Sequence, residues 1–211
     1  DMILTSGNVQ KTQLEESPLL DNISIQVLGS VRNLKDSKTT SVKGDNLYCL
    51  VIPEGIDSEI NQLFQFSLEC AWALTEVTFI WRLHPLFSFN KLSVRNRFYK
   101  TLPDNIVISE NELVEDFNKC QWVLYRGSSA VIQAVVAGLK PIYLHTSGEM
   151  KIDPLYEISN WKNEVTTIND FEKTMKGQIG SYQNYSQAEK YCLDMYTPLD
   201  HNVLIDTLRE I

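Results

Sequence analysis

The chain has 211 residues, 43% of them apolar, and a net charge of −8 from 19 basic and 27 acidic side chains. This length suits one large domain or two small ones, and the acidic balance argues against non-specific binding to nucleic acid or anionic membranes. Four cysteines without a CxxC spacing favour buried, reduced thiols in a cytoplasmic protein, and no run approaches the roughly 20 apolar residues that span a bilayer.

The first 45 residues give the weakest pattern. Residues 2–6 (MILTS) and 23–29 (ISIQVLG) are predicted to be strands, and the Asp-, Ser-, Lys- and Thr-rich stretch 35–46 is predicted to be a loop. Because Asp1 precedes Met2 and a strand-like run follows at once, we expect a piece of a longer protein.

From residue 47 onward, short β-type runs alternate with helical patterns, which is typical of βαβ units and a parallel sheet. Strands are predicted at 47–53, 77–85, 105–109, 121–127 and 140–144, with a weaker one at 164–168. Helices are predicted at 56–74, 112–120, 128–138, 169–176, 184–196 and 201–210, and Gly138 is expected at the C′ position of the third. The fold class is therefore α/β, a Rossmann-like doubly wound parallel sheet with helices on both faces, in a single domain over 1–211.

Residues 125–144, YRGSSAVIQAVVAGLKPIYL, join a strand, a Gly-Ser-Ser turn, an apolar helix and a second strand. Ligands of open α/β sheets bind at the carboxyl ends of strands, where this turn lies. Gly127 permits close approach of the backbone, Ser128 and Ser129 can bind an oxyanion, and Arg126 lies one residue earlier. The alternative is that Ser128 is only the N-cap of the helix, a role that serine often fills.

A second polar strand end contains Arg82 and His84, followed by Pro85. Side chains alternate along a strand, so Ile80, Arg82 and His84 are expected on one face. A cation and an imidazole there can bind a phosphate or a sugar carboxylate. The alternative is a solvated edge with a capping histidine.

Three weaker candidates follow other strands. Glu54 can meet a ligand hydroxyl or cap the next helix, and Arg32, in the run 29–32 (GSVR), can reach a phosphate or belong to a surface turn. His145 opens the polar loop 145–149, which suits contacts to a base, ribose or sugar.

Several familiar motifs are absent from the sequence. GxGxxG and GxxxxGK[ST] are missing, which leaves dinucleotide-fingerprint and P-loop chemistry unsupported. HExxH, clustered Cys and His, and GxSxG are missing as well, so neither a metal site nor Ser-His-Asp hydrolysis is predicted. We expect no resident cofactor.

The run RGSSAVIQAVVAGLKPIYL, with FIWRLHP about forty residues upstream, resembles the C-terminal nucleotide-sugar-binding domain of GT-B-fold glycosyltransferases. It is most similar to bacterial surface-carbohydrate enzymes with paired HP and SS motifs: sialyl- and polysialyltransferases, Kdo transferases and CDP-glycerol glycerophosphotransferases. The resemblance covers residues 47–145 and is only architectural elsewhere. It implies one GT-B half that binds the donor.

The resemblance implies that His84, Ser128 and Ser129 contact the phosphate and ribose of a cytidine nucleotide. Many other GT-B enzymes use a glutamate for the donor ribose, and Gln133, five residues before Gly138, occupies the corresponding place. Because an amide offers no charged acceptor, a cytidine donor is favoured over UDP- and ADP-sugars. The expected nucleotide-binding set is Arg82, His84, Arg126, Gly127, Ser128, Ser129, Gln133, Glu54 and His145.

The implied reaction is metal-independent sugar transfer from a nucleotide-sugar substrate in surface-polysaccharide synthesis, with His84 stabilising the leaving phosphate. The acceptor glycan and the general base are expected on a missing N-terminal domain, and the enzyme is expected in the cytoplasm or peripherally at the inner membrane. Two alternatives remain open. One is a sugar-nucleotide epimerase of the same fold that uses His145 and Glu149, and the other is a non-catalytic carbohydrate- or protein-interaction domain.

Overall fold

The computed structural model describes residues 2–32, 34, 47–158, 160–177 and 182–209, so the predicted loop 35–46 lies outside the described residues. The chain opens with strand β1 (Met2–Thr5), helix α1 (Asn8–Glu15) and strand β2 (Ser24–Val27). The two strands pair in parallel and form a sheet of their own, which confirms both strand predictions within two residues. Helix α1 was not predicted because it buries no residue and therefore shows no apolar stripe.

A second sheet contains six parallel strands in the order β5-β4-β3-β6-β7-β8. Their bounds are β3 (Leu47–Ile52), β4 (Val77–Trp81), β5 (Ile106–Ile108), β6 (Trp122–Tyr125), β7 (Lys140–Leu144) and β8 (Asn163–Val165). The chain adds β4 and β5 on one side of β3 and then crosses to add β6, β7 and β8 on the other. The carboxyl ends of β3 and β6 therefore border a topological switch point, where ligands of this fold class bind.

Seven helices of the described chain flank this sheet or join it to the first unit. Their bounds are α2 (Asp57–Ala73), α3 (Phe89–Arg95), α4 (Leu113–Lys119), α5 (Ala130–Val136), α6 (Ile168–Met175), α7 (Tyr185–Met195) and α8 (His201–Arg209). On one face, Val51 of β3 belongs to a buried cluster that includes side chains of α2 and α6. On the other face, Leu50 and Ile52 pack with side chains of α4, α5 and α7. Helices cover both faces, so the predicted doubly wound α/β fold is confirmed.

Two local predictions have clear outcomes. Gly138 has a φ of 81°, and α5 ends in paired bonds from the Leu139 N–H to the Ala134 carbonyl (2.9 Å) and from the Gly138 N–H to the Val135 carbonyl (2.8 Å). This is the predicted glycine C′ position. The strand predicted at 77–85 ends at Trp81, however, so Arg82 and His84 lie in the following loop and the expected alternation does not extend to them.

The segment after α7 joins the two sheets. The Thr197 N–H donates to the Ser6 carbonyl at 3.0 Å, the Ser30 N–H to the Thr197 carbonyl at 2.8 Å, and the Asp200 N–H to the Leu28 carbonyl at 2.8 Å. The four cysteines are buried and free, as predicted. Within the described ranges, no helix is both long enough and apolar enough to cross a membrane.

Candidate functional site

The loop after β4 lies against the loop after β3. A Cβ on Gly55 would stand 3.2 Å from both Cε1 and Nδ1 of His84, so the imidazole rests on the glycine backbone. His84 Nδ1 accepts a hydrogen bond from the Leu86 N–H at 3.3 Å. A neutral imidazole that accepts at Nδ1 carries its proton on Nε2, so His84 presents an N–H donor at this edge of the sheet.

The loop after β3 also contacts the loop after β6. A Cβ on Gly127 would lie 2.6 Å from Oε1 and from Oε2 of Glu54, so this glycine makes room for the carboxylate. Oε1 of Glu54 is shielded from solvent and has no hydrogen-bond partner among the described residues. Burial raises the pKa of Glu54, the nearby Glu59 raises it further, and Arg126 acts in the opposite direction.

The Gly-Ser-Ser turn is open at its backbone. The N–H groups of Gly127, Ser128 and Ser129 find no protein acceptor in the part of the chain that the structure describes. The N-cap of α5 is Ser129 rather than Ser128, and its side chain makes no capping hydrogen bond. Its Oγ instead accepts from Arg32 Nη1 at 3.2 Å. The alternative in which Ser128 is the N-cap of the helix therefore does not hold.

Arg126, predicted to face the ligand, is held by the protein. Its side chain is 3% exposed, with Nε bound to Glu59 at 2.5 Å and Nη2 bound to Glu149 at 2.7 Å. Nη1 donates to Thr146 Oγ1 at 2.6 Å and to the Leu144 carbonyl at 3.4 Å. One bond on Nε, two on Nη1 and one on Nη2 occupy four of the five guanidinium N–H groups. Arg126 ties α2 to the loop after β7.

Arg82 has a similar structural partner. Its Nη1 bonds Asp116, whose side chain is fully buried, at 2.9 Å, and it also donates to the Asn111 carbonyl at 2.5 Å. The Ser109 hydroxyl and the Asn111 side-chain amide also donate hydrogen bonds to the Asp116 carboxylate. The charge of Arg82 is thus balanced by a buried carboxylate.

Gln133 and His145, two residues of the predicted nucleotide-binding set, lie away from the loops that carry Glu54 and His84. Gln133 is one turn into α5, about 6 Å further along the helix axis than Ser129, and is partly buried. His145 follows β7, three strand positions from β4, which corresponds to about 14 Å at the usual spacing. His145 lines a separate cleft beside Gln62 and approaches Glu164 at 3.8 Å. No group of three or more His, Cys, Asp or Glu side chains suited to a metal occurs among the described residues.

The structure adds Arg32 to the site, a residue for which sequence reasoning favoured a surface turn. Ser129 and Arg32 are 97 positions apart in the chain, and the turn after β2 brings them together. No local pattern signals such a contact, because it depends on how the first unit packs against the larger sheet.

No family model matches this chain, and no curated protein matches it by sequence. Solved structures match it by fold. A glycotransferase of kitacinnamycin matches with a TM-score of 0.58 at 11% identity, over 97% of this chain and 54% of that one. The GtfA/B complex matches with a TM-score of 0.59 at 15% identity, over 100% and 45%.

The spinosyn rhamnosyltransferase SpnG matches with a TM-score of 0.54 at 15% identity, over 87% of this chain and 49% of that one. The chain spans about half the length of these structures. At such identities the likeness concerns the fold alone. The chain has an α/β fold, with a six-stranded parallel sheet flanked by helices, and its structural neighbours are GT-B glycosyltransferases.

Proposed function

We propose that this chain is the donor-binding half of a glycosyltransferase that takes a sugar from a nucleotide-activated donor. The observation that carries the proposal is the meeting of three strand ends at the switch point. The His84 ring rests on Gly55, and the Glu54 carboxylate rests on Gly127. An imidazole N–H, a carboxylate acceptor and the serine turn therefore border one position, where a nucleotide presents its phosphate and its ribose hydroxyls.

Each group has a role that follows from its chemistry. His84 donates from Nε2 to a phosphate oxygen, and Ser128 and Ser129 donate from their hydroxyls. The carboxylate of Glu54, whose Oε1 has no hydrogen-bond partner among the described residues, is the acceptor for a ribose or sugar hydroxyl. Donors that face the departing phosphate stabilise the charge that develops as the glycosidic C–O bond breaks. Arg126 is a positioning residue, since its bonds to Glu59 and Glu149 hold the surrounding loops.

The finer parts of the proposal rest on the sequence resemblance. A cytidine nucleotide is the favoured donor because of the paired HP and SS motifs and because of Gln133. Surface polysaccharide synthesis and transfer without a metal are proposed on the same basis. The acceptor site and the general base are assigned to the other half of the enzyme, since the matched structures are about twice as long as this chain. The epimerase alternative finds no support at Glu149, which is bound to Arg126.

Calorimetry with CMP, CDP, UDP, GDP and cytidine tests the proposal. We expect CMP and CDP to bind more tightly than cytidine, and the His84→Ala variant to lose most of that difference. His145→Ala is the matched control, because this histidine lines a separate cleft. If the folded chain binds no nucleotide at about millimolar concentration, the donor-site proposal is wrong. If UDP binds and CMP does not, only the cytidine preference fails.

A further inference from the structure

We propose that Arg32 supplies the positive charge that binds the phosphate of the donor, an inference that rests on the function proposed above. A charged donor binds phosphate more strongly than a neutral one, and the serine hydroxyls are neutral. The two arginines expected from sequence have their charges balanced by Asp116 and by Glu59 with Glu149. Arg32 reaches the serine turn from the other sheet of the molecule.

The guanidinium of Arg32 is oriented by neutral groups. Nη1 donates to Ser129 Oγ at 3.2 Å and to the Tyr196 hydroxyl at 3.3 Å, and Cζ lies 5.0 Å from the centre of the Tyr196 ring. The backbone below it is also fixed, since the Arg32 N–H donates to Ser30 Oγ at 3.1 Å. An exposed arginine side chain is thereby held in one place beside Ser129.

The remaining donors of Arg32 form the edge that suits an anion. With Nη1 occupied by Ser129 and Tyr196, the Nε and Nη2 N–H groups have no acceptor among the described residues. No carboxylate in that part of the chain lies within ion-pair distance of Arg32. The Nε–Nη2 edge presents two parallel N–H groups, the geometry with which arginine binds phosphate or carboxylate in bidentate fashion.

Space for a ligand lies beside Arg32. Arg32 lines a cavity of about 760 Å³, bounded by the turn after β2 and by the segment from Leu193 to His201. Its size falls within the range of small-molecule sites, roughly 300 to 1,000 Å³. Tyr196 and Pro198 contribute apolar surface, and the charged or titratable side chains of the lining are Arg32, His201 and Asp194. Arg32 contacts both this cavity and the Ser129 hydroxyl, so a phosphate bound at Arg32 lies next to the cavity.

The competing explanation is a purely structural role, in which Arg32 only ties the turn after β2 to α5. The two roles predict different ligand dependence. If the role is structural, a substitution of Arg32 changes the stability of the chain, or changes the affinities for nucleoside and nucleotide equally. A phosphate contact affects only ligands that carry phosphate.

The test compares Arg32→Gln and Arg32→Lys with the unmodified chain in calorimetric titrations with CMP and with cytidine. Inorganic phosphate is added as a competitor of CMP, to show whether the free ion binds at the position of the nucleotide phosphate. Arg32→Gln should weaken CMP about 10- to 100-fold, the range expected for a hydrogen bond to a charged group, and change cytidine affinity less than about 2-fold. Arg32→Lys should retain part of the CMP affinity, because a lysine keeps the charge but not the bidentate edge.

Arg97→Gln is the matched control, because it removes the same charge from an exposed residue elsewhere, on the short helix Arg97–Lys100. Unchanged CMP affinity in Arg32→Gln, or equal losses for CMP and cytidine, would overturn the role of Arg32 and leave the donor site standing. If Arg32→Gln does not fold, unchanged CMP affinity in Arg32→Lys has the same consequence. A chain that binds neither CMP nor another nucleotide contradicts the proposed function itself, and the role of Arg32 with it.

Discussion

Gly127 and the carboxylate of Glu54 occupy adjoining space across the switch point, so close that a Cβ at residue 127 would lie 2.6 Å from either carboxylate oxygen. The contact arises because β3 and β6 are neighbours in the sheet although about seventy residues separate them in sequence. Gly127 is needed for space, Gly138 for its positive φ, and Gly29 for both reasons.

Gly127→Ala is expected to push the Glu54 carboxylate away and to weaken CMP binding. The cost in unfolding free energy should be about 1 kcal/mol, the lower end for added volume, because the displaced atoms end a flexible side chain. Chemical denaturation of Gly127→Ala, Glu54→Ala and the double variant measures the coupling between them. The double variant should be more stable than the two single losses together imply. If the losses in unfolding free energy of the two single variants add strictly in the double variant, the contact between residue 127 and Glu54 is contradicted.

Glu54→Gln is expected to change how stability depends on pH. Because the pKa of Glu54 is raised above its ordinary value of 4.5, chiefly by burial, its protonated form is favoured in the folded chain. Its stabilising contribution is fully present below that ordinary value and is lost as the pH rises through the raised pKa. The glutamine variant should therefore gain stability relative to the unmodified chain over that interval and level off above it.

Urea unfolding of both proteins between about pH 4 and pH 8 measures this difference, since the other titrating groups cancel. Glu115→Gln, at an exposed position of α4, is the control and should show no comparable trend. A difference that runs in the opposite direction would show that Arg126, rather than burial, dominates the pKa of Glu54.

Gly29 and Gly138 form a matched pair, because both have a positive φ, of 87° and 81°, but only one has a close neighbour. A Cβ on Gly29 would stand 2.2 Å from the Pro198 carbonyl oxygen, whereas nothing lies within 4 Å of a Cβ on Gly138. Gly138→Ala should cost roughly 1–2 kcal/mol from backbone strain alone. Gly29→Ala should cost about 1–3 kcal/mol more, because backbone atoms must move.

Thermal and chemical unfolding of the two alanine variants measures these costs. Equal losses would show that the contact between the turn after β2 and the segment at Pro198 contributes nothing to stability. Gly29→Ala should also lower CMP affinity if Arg32 acts as proposed, since it disturbs the turn that carries Arg32. Gly138→Ala should leave that affinity unchanged.

Arg82→Met is expected to destabilise the chain by leaving the buried Asp116 carboxylate without a cation. Breaking a buried ion pair typically costs about 3–5 kcal/mol, and the lower end applies here because Arg82 is 24% exposed. The double variant Arg82→Met with Asp116→Leu should recover a large part of the loss in a denaturation experiment. A loss below about 1 kcal/mol in the single variant would mark this pair as equivalent to a surface ion pair.

Much of the fold was predictable because its signals are local. Buried strands such as β3 and amphipathic helices such as α2 show their periodicity within a few residues, and Gly138 marks the end of α5 through a backbone requirement. Helices α1 and α3 were missed because they bury no residue and one residue respectively, so their sequences show no apolar stripe. The early end of β4 also escaped prediction, since the apolar Leu83 follows Arg82 and extends the alternating pattern beyond the strand.

By itself, the sequence determined the alternation of strands and helices, the doubly wound sheet, and the polar residues that follow its strands. Only the tertiary structure decided which of those residues meet. Arg126 and Arg82, one residue beyond their strands, turn to carboxylates of α2, α4 and the loop after β7, while Arg32 reaches Ser129. The physical reason is that periodicity reports which side chains a local element buries. Pairing of charges across distant loops depends on strand order and on the packing of the two sheets.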